Sequence, residues 1–347
     1  MNPTLSRSFS LCSGLLALLL LLAGCQSPPP RTDLARFKFT EPHMGTQFDI
    51  TVYAPDGAIA SAAAEAAFRR VAELDRMMTD YNPDSELMRL CRHPVGEAVP
   101  VSPDLFNILA QSRRVSRATG GAFDVTVGPF VRAWRASRKS KVLPTATELD
   151  RLRSSVGYQK LRLNRAAQTV TLLAPGMQLD LGGIAKGYAA DEALAVLRRR
   201  GLPSALVAAS GDIAIGDAPP GMAGWKIGIG ALEGGGPGLA QTVLLHNAGV
   251  STSGDIEQNV LINGVRYSHI VDPATGLGLT NRIQVTVIGP NATTTDSYDT
   301  PLDIMGTERA LAFVDAHREL AAYILTRDAA GPHTYTSRRF RERFGTP

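Results

Sequence analysis

The sequence predicts an α+β fold in which antiparallel or mixed sheets pack against helices. Short segments of alternating apolar residues are interleaved with longer segments of helical periodicity, without the regular strand–helix–strand rhythm of a parallel sheet. The clearest hairpin lies within residues 260–267, where Asn263-Gly264 favours the tight turn that joins antiparallel strands. With 347 residues and 44% hydrophobic composition, the chain can bury a substantial core.

Residues 1–24 are predicted to be a lipoprotein signal peptide. Arg7 supplies a weakly basic start, and the apolar run at 15–22 is too short to span a bilayer comfortably. The run leads at once into Leu-Ala-Gly and Cys25, a small-residue cleavage site that ends in cysteine. We therefore expect cleavage before Cys25 and a lipid on its thiol. The alternative is an ordinary signal peptide with an incidental cysteine.

Residues 25–36 are predicted to tether the lipid to a single folded domain at 37–347. Three consecutive prolines make the tether stiff and extended. Cys12 leaves with the signal peptide and Cys25 carries the lipid, so Cys91 alone remains in the domain, without a role and without an intramolecular disulfide. We expect the protein on the periplasmic side of a bacterial membrane, and the choice between inner and outer membrane stays open.

The charge pattern does not favour a nucleic-acid partner. The net charge is only +4, and the arginine runs at 198–200 and 338–339 are expected to be solvated surface at a helix end and near the C-terminus.

The domain is predicted to begin with two extended segments and a long helix. Apolar and polar residues alternate within 37–53, as in a half-buried strand. Residues 58–80 are rich in Ala, Glu and Arg and carry their large apolar residues on one face, which predicts a helix. Ser102 as N-cap, with Pro103 at the first helical position, predicts a further helix through residue 117.

The later elements follow from the same signals. The remaining predicted helices cover residues 87–90, 147–156 and 293–316. The remaining predicted strands cover residues 161–163, 169–173, 205–208, 225–229, 242–245, 283–288 and 323–325. The glycine-rich residues 234–238 are expected to form a surface loop.

Residues 179–191 are predicted to form a strand, a tight Gly182-Gly183 turn and a helix. The glycines let the backbone approach a ligand closely, and a helix N-terminus offers unpaired N–H groups with partial positive charge. Lys186 adds a full charge where a phosphate would lie. The alternative is a plain strand–turn–helix connection.

A second cluster follows if the last long helix starts near residue 294 or 295. Asp296, Asp299 and Thr300 then lie on one face of its first turns. Oxygen ligands of this kind suit a hard cation such as Mg²⁺. The alternative is an acidic N-cap that complements the helix dipole. Pro301 fits neither interpretation well, because it removes a backbone hydrogen bond.

A third cluster ends a strand at residues 268–276. His269 is a candidate general base or phosphate partner, since its side chain titrates near neutrality. The alternative is a structural histidine. Met44 and Tyr81 could enclose a planar ring, although such residues more often pack in cores.

Together these segments resemble one family, the ApbE-type flavin transferases, or FAD:protein FMN transferases. The matching segments, in chain order, are 43–46 (HMGT), 81–86, 119–129 with Trp134 beyond, 180–188 (DLGGIAKGY), 210–213 (SGDI), 251–254, 269–276 (HIVDPATG) and 296–300. The resemblance covers residues 37 to about 310.

The resemblance implies an ApbE-like, T-fold-like catalytic domain and a specific reaction. Members of the family cleave the pyrophosphate of FAD with Mg²⁺. They attach the FMN half through a phosphoester to a threonine or serine hydroxyl of an acceptor protein, releasing AMP. Many are exported lipoproteins, and the expected acceptors are periplasm-exposed segments of redox membrane proteins. An FAD pyrophosphatase and a non-catalytic flavin-binding lipoprotein are the alternatives.

The resemblance also implies roles for individual residues. The FAD site would be lined by Met44, Tyr81, Ala122, Phe123, Asp124, Asp180, Lys186 and Val271. The metal would be held by the carbonyl of Gly183 and the side chains of Asp296, Asp299 and Thr300. His269 would act as base or phosphate-positioning group, and Lys186 would stabilise charge on the leaving phosphate.

Three positions depart from the family pattern. Relatives often have alanine at Gly183, a change that a carbonyl ligand tolerates. Asp299-Thr300-Pro301 stands where an Ala-Thr-Ala-rich helix is common. Residues 208–210 replace a more usual Asn/Gly-rich segment, which bears on contacts with the adenine or ribose.

Overall fold

The computed structural model describes residues 34–230, 239–254 and 259–345. The predicted signal peptide, Cys25, most of the tether and the glycine-rich loop at 234–238 lie outside these ranges. Among the described residues, no helix combines the length and apolar character needed to cross a membrane.

The helices and strands alternate irregularly along the chain. The helices are α1 (Gly57–Met78), α2 (Glu86–Leu90), α3 (Pro103–Ala118), α4 (Gly128–Ser140), α5 (Ala146–Arg153), α6 (Ala185–Arg199), α7 (Ala292–Met305), α8 (Thr307–Ala316) and α9 (Arg338–Phe344). The strands are β1 (Ala35–His43), β2 (Thr46–Ala54), β3 (Val99–Pro100), β4 (Leu161–Asn164), β5 (Thr169–Leu172), β6 (Ala205–Ala209), β7 (Asp212–Ile215), β8 (Trp225–Gly230), β9 (Leu239–Leu245), β10 (Ala248–Gly254), β11 (Asn259–Ile262), β12 (Val265–Ser268), β13 (Ile283–Gly289), β14 (Ala321–Asp328) and β15 (Gly331–Thr336).

One eight-stranded sheet organises the molecule, in the order β1-β2-β6-β7-β10-β13-β14-β15. Every neighbouring pair in it is antiparallel. Smaller antiparallel sheets are formed by β3-β5-β4, by β8-β9 and by β11-β12. The predicted α+β class with antiparallel sheets is confirmed.

Both faces of the large sheet are covered. Phe48, Ile50 and Val52 alternate along β2 and are fully buried on the face that carries α1 and α6. On the opposite face, the β8-β9 hairpin and α9 enclose a separate cluster that contains Trp225 and Phe340. The helices α6 and α7, which carry the predicted chemistry, therefore lie on one side of the sheet.

Local signals placed several elements correctly. Ser102 accepts a hydrogen bond from the backbone N–H of Leu105 (3.3 Å) and begins α3, as its N-cap position predicted. The turn between β11 and β12 has positive φ at both Asn263 (50°) and Gly264 (78°), the geometry that Asn-Gly favours.

The predicted continuous helix over 293–316 is wrong. The chain forms α7 and α8, separated at Gly306, whose φ of 75° cannot continue a right-handed helix. Pro301 lies inside α7 without ending it.

The predicted strand at 179–181 is also absent. The described residues show no strand ladder here: Gln178 makes an isolated bridge with Val127, and the N–H of Asp180 donates to the carbonyl of Val125 (2.8 Å). The segment is held by this backbone hydrogen bond and by the burial of Leu179 and Leu181 in the core.

Helix α4 was missed by the sequence analysis. Its Arg- and Lys-rich sequence gives little apolar signal, because the buried stripe of the helix contains only two large apolar residues, Phe130 and Trp134, with the polar Ser137 at the same helical spacing. Strands β7, β10 and β15 and helix α9 were missed as well, because each is short or rich in small and polar residues.

Candidate active site

The site is built where the N-terminal turns of α6 and α7 meet at Gly187. The N–H of Gly187 donates to Asp296 Oδ2 (2.8 Å). A Cβ at Gly187 would collide with the carbonyl oxygen of Ala292 and lie 2.7 Å from Asp296 Cβ, so only glycine allows this approach. Asp191 on α6 accepts hydrogen bonds from the backbone N–H groups of Ala292 (3.0 Å) and Thr293 (2.7 Å). The two helices are therefore fixed against each other at the site.

Helix α7 begins at Ala292 rather than at 294 or 295, with Asn291 as its N-cap. The Asn291 side chain accepts from the N–H of Thr294 (2.9 Å). Asp296 therefore lies beyond the cap position and does not serve as an acidic N-cap.

Three buried carboxylates and one lysine form the centre of the site. Carboxylate oxygens of Asp212, Asp296 and Asp299 lie within 4.8 Å of one another. Lys186 Nζ is hydrogen-bonded to Asp212 and lies 3.9 Å from Asp296 Oδ1. One cation thus faces three buried acids.

This excess of acidic groups shifts the pKa values. Burial, with the charge of Asp212 adding to it, raises the pKa of Asp296 to about 7. Burial and the charges of Asp212 and Asp296 raise the pKa of Asp299 well above its usual range. Burial opposes the charged form of Lys186, but the attraction of Asp212 and Asp296 outweighs it and raises the pKa of Lys186. Lys186 is therefore a cation at neutral pH.

The donor set fits a hard divalent cation. Asp212 Oδ1 is buried and has no hydrogen-bond partner among the described residues. The Thr300 hydroxyl donates to Asp299 Oδ1 (3.2 Å), and a Cβ at Gly183 would lie 3.7 Å from Thr300 Oγ1. The predicted residues Gly183, Asp296, Asp299 and Thr300 thus meet at one place. Oxygen donors with surplus negative charge are the environment that Mg²⁺ prefers.

Asp212 is a site residue that the sequence analysis did not single out. It opens β7 after a turn in which Ser210 has a φ of 57°. Its position in the Ser-Gly-Asp-Ile segment was the only available signal. Nothing in the spacing indicates that β7 brings Asp212 to Lys186.

A second group joins Tyr81 to Asp180 through Arg135. The guanidinium carbon of Arg135 lies 4.6 Å from the centroid of the Tyr81 ring. Arg135 Nη2 donates to Asp180 Oδ2 (3.2 Å), and Nη1 donates to Asp80. Asp180 Oδ1 accepts from the N–H of Gly182 (2.8 Å), which ties this group to the Gly182-Gly183 turn. Arg135 was missed together with its helix.

Met44 lies in the turn between β1 and β2. Its φ of 49° is uncommon for a residue with a side chain, and its N–H donates to Asp75 Oδ2 on α1 (2.8 Å). The turn is thereby held against the long helix.

The predicted residues Ala122, Phe123 and Asp124 lie in a loop between α3 and α4. Phe123 is buried, and its ring lies 3.4 Å from a Cβ built at Gly183. Asp124 accepts from Thr126 N and Oγ1 (2.8 and 2.7 Å) and from Tyr158 N (2.7 Å). Its carboxylate therefore holds the loop in shape. Asp124 and Ala122 also line a cavity of about 390 Å³.

His269 is half-buried directly after β12, and Val271 is buried two residues later. The carbonyl of Ser268 accepts a hydrogen bond from Trp134 Nε1 (3.0 Å). Helix α4 thus contacts both the segment before His269, through Trp134, and the Tyr81–Asp180 pair, through Arg135.

Comparison with known proteins places this chain among the flavin transferases. The sequence model of the ApbE family matches residues 44–324. A FAD:protein FMN transferase from Vibrio cholerae is 31% identical over 330 residues, covering 94% of this chain and 96% of that protein. One from Treponema pallidum is 30% identical over 312 residues, covering 86% of each.

Solved structures of ApbE proteins have the same fold. The flavin transferase ApbE from Vibrio cholerae matches with a TM-score of 0.81 at 29% identity, covering 90% of this chain and 100% of that chain. The flavinyl transferase ApbE from Pseudomonas stutzeri matches with a TM-score of 0.81 at 28% identity, covering 90% and 98%. Sequence and fold together show that this chain belongs to the ApbE family.

Proposed function

We propose that this chain is a Mg²⁺-dependent FAD:protein FMN transferase. It cleaves the pyrophosphate of FAD and joins FMN through a phosphoester to a threonine or serine hydroxyl of an acceptor protein, with AMP as the second product. The observation that carries this proposal is the buried group of Asp212, Asp296 and Asp299 beside Lys186, in a chain whose relatives are named for this activity.

In this proposal, one group of residues binds the metal and Lys186 acts on the phosphates. Gly183, Asp296, Asp299 and Thr300 would hold Mg²⁺, which when bound neutralises charge on the diphosphate and orients it. Lys186, charged and held by Asp212, stabilises the negative charge that develops as the bond between the two phosphates breaks.

The attacking oxygen comes from the acceptor. The one cysteine in the described residues, Cys91, is mostly buried, and its sulfur accepts from the N–H of Leu179 (3.4 Å). It is therefore poorly suited to attack FAD. His269 is the proposed base that takes the proton from the acceptor hydroxyl.

The flavin half of FAD is assigned to the other group of residues. Tyr81 and Met44 offer surfaces for a planar ring, while Ala122, Phe123 and Val271 contribute the surrounding wall. The acceptors are proposed to be periplasm-exposed segments of redox membrane proteins, reached by an enzyme anchored through Cys25.

The test is to incubate the purified domain with FAD, Mg²⁺ and a threonine-bearing acceptor protein. Transfer predicts a flavin-fluorescent acceptor band that survives denaturing electrophoresis, with one AMP released per label. An acceptor with valine in place of the threonine should stay unlabelled. AMP release without labelling would instead identify a pyrophosphatase, and intact bound FAD would identify a flavin-binding protein.

The metal assignment has its own test. Asp296→Ala should lower Mg²⁺-dependent labelling by at least about a hundredfold, because the buried donor set loses a carboxylate. It should also remove the rise in melting temperature that Mg²⁺ gives the wild type. The exposed Asp150→Ala serves as a control. Unchanged Mg²⁺ stabilisation in Asp296→Ala would contradict the assignment.

A further inference from the structure

We propose that Arg135 is a positioning residue of the flavin site, which holds the Tyr81 ring and the Asp180 carboxylate in place for FAD. The inference rests on the proposed function, because it assigns Tyr81 and Asp180 to FAD. It adds Arg135, which lies on α4 beside Trp134 and to which no sequence motif assigned a role.

One guanidinium connects two parts of the chain that are distant in sequence. Its central carbon lies over the ring of Tyr81, in the loop after α1, while its N–H groups donate to Asp80 in that loop and to Asp180 before α6. Arginine suits this place because it can stack on a ring and donate several hydrogen bonds at once.

Tyr81 needs such a support. The residue is 78% exposed. Its backbone N–H donates a hydrogen bond to Thr79 Oγ1 (3.3 Å), but this bond does not fix the position of the ring. Without a partner, an exposed ring samples several rotamers, and ordering it on binding costs free energy. Contact with Arg135 on one face preorganises the ring and leaves exposed surface for a planar ligand.

The charge of Arg135 matters as well. Asp80 and Asp180 place two acids next to the proposed position of FAD, whose diphosphate is anionic. Burial raises the pKa of Asp180, the charge of Asp80 adds to this, and Arg135 opposes it. A cation between the two acids therefore reduces the repulsion that FAD would meet.

Helix α4 gives Arg135 a fixed base. Its neighbour Trp134 is 1% exposed and donates to the carbonyl of Ser268, and Phe130 one turn earlier is fully buried. The backbone of Arg135 is thus held on the side of the site that also carries His269.

The experiment compares Arg135→Ala, Arg135→Lys and Arg138→Ala. Arg138 lies on the same helix and has no hydrogen bond or ion pair recorded among the described residues. FAD affinity is measured by quenching of flavin fluorescence, and KM and kcat by acceptor labelling. We expect about tenfold weaker FAD binding and a similarly raised KM for Arg135→Ala, with kcat lowered less than about threefold. Arg135→Lys, which keeps the charge but not the planar group, should lie in between, and Arg138→Ala should match the wild type.

A double-mutant cycle with Tyr81→Ala separates positioning from general stability. If Arg135 acts through the ring, its removal should cost clearly less affinity once Tyr81 is absent. Wild-type affinity in Arg135→Ala, or equal losses with and without Tyr81, would overturn the inference while leaving the proposed function intact. Failure of the wild type to bind FAD would overturn the proposed function itself, and this inference with it. If Arg135→Ala does not fold, the FAD affinity of Arg135→Lys is the test. Wild-type affinity in Arg135→Lys would then overturn the inference that the planar group of Arg135 supports the Tyr81 ring.

Discussion

Asp303 is fully buried on α7, one turn beyond Asp299. Ser253 donates a hydrogen bond to its Oδ2, while its Oδ1 has no hydrogen-bond partner among the described residues. Burial raises the pKa of Asp303 well above its usual range, against the opposing effect of the Ser253 hydrogen bond. The carboxyl is therefore favoured in its protonated form in the folded protein.

This predicts a pH-dependent effect of Asp303→Asn. The unfolded chain releases this proton above about pH 4, whereas the folded protein retains it, so the wild type loses stability as pH rises toward the folded pKa. Asparagine removes the loss. In urea unfolding at pH 8, the free energy of unfolding of Asp303→Asn should exceed that of the wild type. The difference should be larger than the roughly 0.5 kcal/mol typical of surface changes.

At pH 4 the gain from Asp303→Asn should be much smaller, because the unfolded wild type still holds about half of this proton at that pH. Asp150→Asn, at an exposed position, is the control and should change little at either pH. An equal gain at both pH values would show that packing, rather than ionisation, decides the effect.

The proposed roles of Asp212 and Arg135 depend on partners that are distant in sequence. Both have ordinary sequence surroundings. Their importance comes from Lys186 in one case, and from Tyr81 and Asp180 in the other, all distant along the chain. Spacing within one element cannot indicate such partners.

At the level of elements, the crossing of α6 and α7 positions the proposed metal site. Gly187 permits the close approach, and Asp191 bonds to the first turn of α7. The helical face predicted for Asp296, Asp299 and Thr300 is correct because helix periodicity is local. The partner helix that faces them is set by packing on the sheet.

Gly187→Ala should therefore destabilise the fold by about 1–3 kcal/mol, since its methyl group would force the helices apart. Urea unfolding measures this loss, and it should be accompanied by weaker stabilisation by Mg²⁺. Gly57→Ala, at the start of α1, is a matched control, because the nearest atom to its new Cβ is 3.4 Å away. A stability equal to that of the wild type would mean that α6 and α7 can separate without cost.

At the scale of the whole molecule, the antiparallel sheet holds together segments from nearly the full described chain. The β2, β6, β7 and β10 strands bring Met44, Asp212 and the α6–α7 pair to one region. The family match over residues 44–324 covers these segments, in keeping with a site assembled from most of the domain.

Attachment of the whole protein to a membrane is a prediction that rests on the N-terminal sequence. Cys25→Ser should move the expressed protein from the membrane fraction to the soluble fraction, because the thiol that would carry the lipid is lost. Fractionation with immunoblotting measures the shift. Cys12→Ser, within the predicted signal peptide, is the control and should remain with membranes. Continued membrane association of Cys25→Ser would show that the lipid-anchor prediction is wrong.

The sequence by itself determined what depends on neighbouring residues. Helix caps, the Asn263-Gly264 turn, the alternation along β2 and the ordered motif segments that identified the family all follow from local chemistry or from direct comparison of residues. They were sufficient for the fold class. They failed where a local signal was weak, as in α4, or ambiguous, as at 179–181 and Gly306.

Only the tertiary structure decided which chemical groups share a site. It brought Asp212 to Lys186, placed Arg135 between Tyr81 and Asp180, and docked α7 on Gly187. These contacts depend on how helices cross the sheet and on how closely they pack. Hydrophobic periodicity indicates which face of a helix is buried, but not which residues lie opposite that face.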